Sequence, residues 1–434
     1  MNTTVLTPDA RSAETRERYA RLYADPTRPL AELVRIEDPA FYVNPWPAYQ
    51  RLQAEAPVYY YEPFNTWILT KHEDVKIASR LADTFSVQQG ILLYDAIKKG
   101  GGLSDLFAGN GDMIGLTDPP RHGELRRIMQ PPFLPGALER LEPRLARYCD
   151  RLLDAIVPGE PVDWVEAVAS RLPVIVIAAI LGIPDDDYAF FEQVRLWTNA
   201  TEALASHDLS PDELSATIAS FGSLNAFIGE VFEEKRRHPG DDFLSSLLRD
   251  HLDDERLGEA NMIGFAQLLI AAGADTSRSL LSELVAHLAL FPEQRRLLAA
   301  DPALAPNAIE EVLRFAPAAR GFARQLVQDT TLRGQELKSG QRVWMSYDAA
   351  NRDPDVFERP SEFDITRPSN RKNVAFGFGT HVCIAAPLVR VEVKILLGKL
   401  ISRFPRFELA GSGHRVESFL RNGWVDLPVV FHSC

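Results

Sequence analysis

The stretch FGFGTHVCIAAP, Phe376 to Pro387, holds one of only three cysteines in the chain, two glycines upstream of it and a histidine two places before it. Beyond Cys383 the pattern turns helical: Ile384, Leu388, Val391 and Ile395 fall on one face, and Pro387 is tolerated in a first turn. Cys383 is thereby placed at a helix N-terminus, where free backbone N–H groups and the helix dipole favour a thiolate. Gly377 and Gly379 let the incoming chain turn sharply and approach something flat or bulky. His381 is too near in the chain to serve as the base of a Cys–His pair, and no nucleophile signature surrounds it. A structural zinc site needs three or four Cys or His ligands at short spacings, and the sequence lacks them. The thiol is then either a buried structural cysteine beside turn glycines or a thiolate offered as the single protein ligand of a metal cofactor.

Outward from this stretch, the chain has 434 residues, 46% hydrophobic and 25% charged, the composition of a soluble globular protein. That length favours two or three domains. No Gly/Ser-rich or Pro-rich linker, low-complexity tract or repeat offers a place to divide it, so one mostly helical body over residues 1–434 is expected. A short flexible N-terminus over about residues 1–15 is expected with it. The formal charge of −13, from 47 basic and 60 acidic residues, argues against a nucleic-acid surface. The N-terminal sequence has no signal-peptide pattern. The longest apolar runs, Leu172–Leu181 and Leu268–Ala274, fall short of the ~20 residues a bilayer demands. Cys149, Cys383 and Cys434 are far apart and suggest no disulfide framework, which fits the cytoplasm. Cys149 reads as a core residue and Cys434 as a frayed end.

Strand-like runs are few: PVYYYEP, TWILTK, QRVWMSY and VDLPVVF. Helical periodicity dominates between them. DPPRHGELRRIMQPPF predicts a helix capped by Asp118, and PNAIEEVLRFAP a shorter one bounded by prolines. NMIGFAQLLIAAGADTSRSLLSELVAHLALF, apolar nearly all round in its middle, predicts a long helix through the centre of the molecule. Within it, Gly273 costs about 1 kcal/mol relative to alanine. Asp275 is expensive to bury unless paired or hydrated, and Thr276 can bond the carbonyl of Ala272 and open the helix locally. DAANRDPDVFERPSEFDITRPSNRKN is a long irregular segment of the kind that usually serves function.

FGFGTHVC followed by IAAPLVR resembles the haem-ligand loop of the cytochrome P450 family, Phe-Gly-x-Gly-x-His-x-Cys-x-Gly, with Ala385 in place of the last glycine. The resemblance extends in family order from Asp118 to Pro428. It implies a mainly α fold with a small β-rich region, the family's triangular prism. It implies haem b as cofactor, with Cys383 as the axial thiolate ligand of the iron. Glu311 and Arg314 match the family's Glu-x-x-Arg pair, with Arg352 expected as the third partner because Glu362 occupies the other arginine position. His122, Arg126, Arg324 and His381 match partners of the haem propionates. Asp275 and Thr276 match the oxygen-groove pair, Thr276 bonding iron-bound dioxygen and Asp275 relaying protons.

The implied activity is that of an oxidoreductase. One oxygen atom enters a C–H or C=C bond of a lipophilic small molecule such as a terpenoid, steroid or fatty acyl compound. Electrons would come from a separate ferredoxin and its NAD(P)H-dependent reductase, docking on the cysteine side. Residues 85–102, Ala271, Ala272, FAPAARGF and the turn at Phe419 are expected to line the pocket, with Gln88, Gln89, Lys98 or Arg320 as candidate polar anchors. The alternatives are a haem-thiolate isomerase, dehydratase or peroxygenase, against which the intact Asp275–Thr276 pair speaks, and a non-catalytic haem-binding sensor, for which no output domain is seen.

Overall fold

The computed structural model describes residues 10–93, 112–184, 188–206, 210–251 and 258–433. Its axis is the central helix Glu259–Leu290, 32 residues long. The apolar run after Arg171 forms helix Arg171–Leu181, whose side chains are buried on every face, and it packs directly on the central helix. Their approach explains the mid-helix glycine: a β-carbon at Gly273 would lie 3.2 Å from Ile177 Cδ1. Helices Tyr188–Ser206 and Pro211–Arg237 pack on the central helix from one side, and Ala305–Phe315 from another. Helix Ala386–Arg403, which follows the cysteine loop, lies against Pro135–Asp154 and Ala305–Phe315. Cys149 is fully buried in that contact layer.

All four strand-like runs are strands. Val58–Tyr61, Thr66–Leu69, Arg342–Ser346, Gly321–Leu326 and Phe85–Ser86 form one sheet in that spatial order. Thr66 pairs with Arg342 in a parallel register, and the other pairings are antiparallel. A three-stranded sheet sets Pro428–His432 between Pro161–Asp163 and Arg406–Leu409. The fold is mainly α with a small β-rich region, as the sequence predicts.

Four local expectations change. Asp118 does not cap the helix Arg121–Met129, whose N-cap is Pro120. Its carboxylate is recruited instead by Ser86 Oγ and the Val87 N–H, tying the strand end Phe85–Ser86 to this helix. The N-terminal helix Ala10–Ala24 starts inside the stretch expected to be flexible. The central helix stays α-helical through Thr276, although the hydroxyl does bond the Ala272 carbonyl at 2.7 Å. The hydroxyl adds a second donor to that carbonyl without displacing the ladder.

The fourth is the third partner of the Glu311–Arg314 pair. The pair itself is fully buried, with Arg314 donating to both Glu311 oxygens at 2.7 and 2.9 Å. Its partner is Arg367, whose Nε sits 3.3 Å from each Glu311 oxygen. Arg352 instead donates to the Phe315 carbonyl at 2.9 Å and is stacked between the Trp46 and Phe315 rings. The reason is a turn: the Glu362 carbonyl accepts from both Arg314 and Arg367, so the chain doubles back and delivers the arginine five residues later.

Candidate active site

The cysteine loop is built by its glycines. Gly377 and Gly379 have φ of 73° and 70°, the left-handed region that glycine enters without strain. A β-carbon at Gly379 would lie 2.6 Å from the Ser79 carbonyl oxygen, so the loop presses on the end of helix His72–Arg80. The Cys383 N–H closes the loop on the Phe376 carbonyl at 2.8 Å. Ala385, at φ −88° and ψ 1°, is the N-cap of helix Ala386–Arg403 and adopts a backbone that any L residue tolerates. Its methyl group therefore adds no backbone strain where the family has glycine.

The backbone N–H groups of Ala385 and Ala386 point at the sulfur, as a helix N-terminus predicts. Burial nonetheless pushes the thiol up, outweighing those donors and the charges of Arg126 and Arg390. The helix end alone does not ionise Cys383; a cation bound to the sulfur would.

His122, Arg126, Arg324 and His381 gather around this loop. The His122 and His381 rings are 4.3 Å apart between centroids, and Arg126 Nη1 donates to the Val382 carbonyl at 2.8 Å. Arg324 is buried at 5% exposure on its strand. Among the described residues none of the four forms an ion pair with a carboxylate; the acid whose charge acts on His122 and Arg324 is Asp118, whose carboxylate is bonded by Ser86 and Val87. His381 Nε2 is buried without a hydrogen-bond partner. Burial holds the His381 ring neutral, with Arg324, His122 and Arg126 adding repulsion, down to about 3. Burial likewise lowers His122, Arg126 and Arg324. Desolvated donors that repel one another and lack an anion are relieved by a buried dicarboxylate, so the donor set fits a haem with its two propionates.

On the central helix, Asp275 is buried at 8% exposure. Its Oδ1 accepts from Arg421 Nη1 at 2.6 Å and lies 3.1 Å from Arg278 Nη2. Arg421 is not legible as an Asp275 partner, being 146 residues away, whereas Arg278 stands at the i,i+3 spacing of a helical ion pair. Ala272 beside them is exposed while Ala271 is buried. Of the candidate anchors, Gln88 and Gln89 are exposed and Lys98 lies outside the described residues. Arg320 is no anchor: it is buried and engaged by Asp348, the Ser418 and Tyr42 carbonyls and Asn422 Oδ1.

A model of the Cytochrome P450 family matches residues 302–421. Cytochrome P450 107B1 of Saccharopolyspora erythraea is 35% identical over 419 residues, covering 93% of this chain and 98% of the relative. The chain belongs to the cytochrome P450 family. A vitamin D(3) 25-hydroxylase of Pseudonocardia autotrophica is 34% identical over 399 residues, covering 90% of this P450 and 94% of the hydroxylase. The crystal structure of CYP109E1 from Bacillus megaterium in complex with testosterone superposes with a TM-score of 0.80 at 31% identity. It covers 89% of this chain and 97% of that one. Membership brings a haem-thiolate cofactor and monooxygenase chemistry, and among the described residues no helix is long and apolar enough to cross a membrane.

Proposed function

We propose that this P450 binds haem b through Cys383 and inserts one atom of dioxygen into a C–H or C=C bond of a lipophilic small molecule. Two electrons and two protons reduce the other atom to water. The observation that carries the cofactor assignment is the cluster of desolvated donors His122, Arg126, Arg324 and His381 around the Cys383 loop, with no ion pair to a carboxylate among the described residues. Bound there, the haem supplies the redox chemistry that activates dioxygen, its thiolate ligand donating electron density. The chain contributes placement and protons. Thr276, its hydroxyl fixed on Ala272, presents oxygen lone pairs beside Asp275. Asp275 passes protons inward from solvent to Thr276.

The guest we propose is of terpenoid, steroid or fatty acyl type, with steroids first. The Leu-, Ile-, Ala- and Phe-rich segments around the expected pocket support that class, as do the vitamin D(3) hydroxylase and the testosterone complex among the relatives. The electron donor we propose is an acidic ferredoxin, reduced by an NAD(P)H-dependent reductase, in the cytoplasm. Arg371, Arg390 and Lys394 line one groove beside the loop together with Glu310, which pairs with Arg390 at 2.6 Å and leaves the groove net positive; Arg390 also lies 4.7 Å over the Phe376 ring, and Val382 is exposed. This basic face stands out on a chain of charge −13.

A difference spectrum of the reduced protein with carbon monoxide tests the cofactor assignment. A band characteristic of thiolate ligation is expected, lost in Cys383→Ser; an unchanged spectrum in that variant refutes it. A spin-state screen of steroids and fatty acids then tests the guest class.

A further inference from the structure

Four polar residues recur at four-residue steps along one buried side of the central helix: Asp275, Ser279, Glu283 and His287. The segment Arg415–Gly423 runs beside the first three of them. Arg421 bonds Asp275, and Arg415 pairs with Glu283. A β-carbon at Gly423 would lie 2.8 Å from Ser279 Oγ and 3.2 Å from its Cα, so the segment's backbone rests on the helix.

The same turn is stitched on its other side to the connection between helix Ala305–Phe315 and strand Gly321–Leu326. The Arg320 N–H donates to the Leu420 carbonyl at 2.7 Å, and the Asn422 N–H to the Ala318 carbonyl at 2.9 Å. Phe419 is buried in an apolar cluster with Leu92 and Leu93, from the segment that the family resemblance expects to line the guest pocket. One short turn thus carries a buried phenyl ring, packed with a segment expected to line the guest pocket, and, two residues on, the arginine that holds the acid of the central helix.

Asp275 Oδ1 accepts a hydrogen bond from Arg421 and is ion-paired with Arg278. Arg278 sits on the same helix and moves with Asp275. Arg421 comes from a different segment, so it is the contact that can change. We propose that Arg421 is a positioning residue: through it, the 418–423 turn holds the Asp275 carboxylate and makes proton supply to Thr276 depend on how the turn is seated. This rests on the relay role proposed above for Asp275 and adds a control to it. A carboxylate that donates and accepts protons has to release one of its two partners, and release of Arg421 follows displacement of the turn. A guest pressing on Phe419 provides that displacement.

The test uses the haem-loaded full chain with a surrogate ferredoxin and reductase, and needs no known substrate. In Arg421→Gln, basal NADPH oxidation is expected to rise about threefold, and its solvent deuterium effect to shrink. Arg421→Lys restores both in part. In the ferric protein, amide hydrogen exchange is expected to quicken over residues 272–277 and 418–423 only. Gly423→Ala, which lifts the turn without removing a charge, is expected to act in the same direction. Unchanged oxidation and isotope effect in Arg421→Gln overturn the proposal, as does exchange that quickens throughout the molecule. Asp275→Asn and Thr276→Ala are the references: if these also leave basal oxidation unaltered, the relay itself fails, whereas an effect in them alone removes only the role of Arg421.

Discussion

A methyl group at position 379 has nowhere to go. The residue has φ of 70°, and its β-carbon would meet the Ser79 carbonyl oxygen at 2.6 Å. Gly379→Ala is expected to cost about 2 kcal/mol, read by calorimetry as a lowered Tm, with the loop's hold on haem weakened in parallel. The two loop glycines were legible because a sharp approach to a neighbour is a demand only they meet. Glu392 was not legible. On helix Ala386–Arg403 its spacing says nothing of the packing that buries it, yet one carboxyl oxygen lacks a partner and burial pushes the group up to about 8. The folded chain therefore keeps a proton that the unfolded chain releases above its ordinary value of 4.5. Below that value the group is neutral in both states and costs nothing. As pH rises toward 8 it increasingly disfavours the fold. Glu392→Gln removes this penalty, so its stability relative to the parent should improve between pH 5 and pH 8 by on the order of 3 kcal/mol. Guanidinium unfolding at the two pH values checks it; a constant difference would refute it.

At the scale of elements, strands and the central helix were readable because period and composition agreed with burial. The errors came where a side chain served a distant element. Asp118 was assigned to the nearest helix end, but tertiary structure gives it to Ser86 and Val87. The family pattern points to Arg352 as the partner of Glu311, but the doubling back of the chain at Glu362 brings Arg367 there. Arg367 is 3% exposed and also meets the carbonyls of Glu358, Arg359 and Glu362, so it pins the irregular segment to helix Ala305–Phe315. Arg367→Met leaves a buried acid with one partner fewer, and should cost about 3 kcal/mol in urea unfolding of the holoprotein. The exposed Arg359, which pairs with the exposed side chain of Glu362, should be replaceable by alanine at under about 0.5 kcal/mol.

At the scale of the molecule, charge is the deciding quantity. A protein of net charge −13 repels acidic partners on average, so the encounter proposed above with an acidic ferredoxin would depend on the local basic groove beside the cysteine loop. Reduction by an acidic ferredoxin should slow about tenfold between 50 and 500 mM salt, by analogy with other steered encounters. Lys394→Glu should reproduce much of that loss at low salt in stopped-flow reduction. Composition could give the overall sign. It could not give this patch, because Arg371, Arg390 and Lys394 come from two segments that meet only in the folded chain.

The spacing of Asp275, Ser279, Glu283 and His287 also limits how this gene can change length. An α-helix advances about 100° per residue, so one codon inserted between 275 and 283 would swing everything on one side of it by more than a quarter turn. Glu283 would take the place of Leu284 among hydrocarbon while Arg415 kept its place, and only the Ser282 hydroxyl would be offered to the guanidinium. Substitutions here can be repaired one at a time, but a frame-preserving insertion cannot. A chain lengthened by one alanine after Leu280 should fail to accumulate as folded protein, whereas the same alanine placed in the exposed turn at Gly334 should be tolerated.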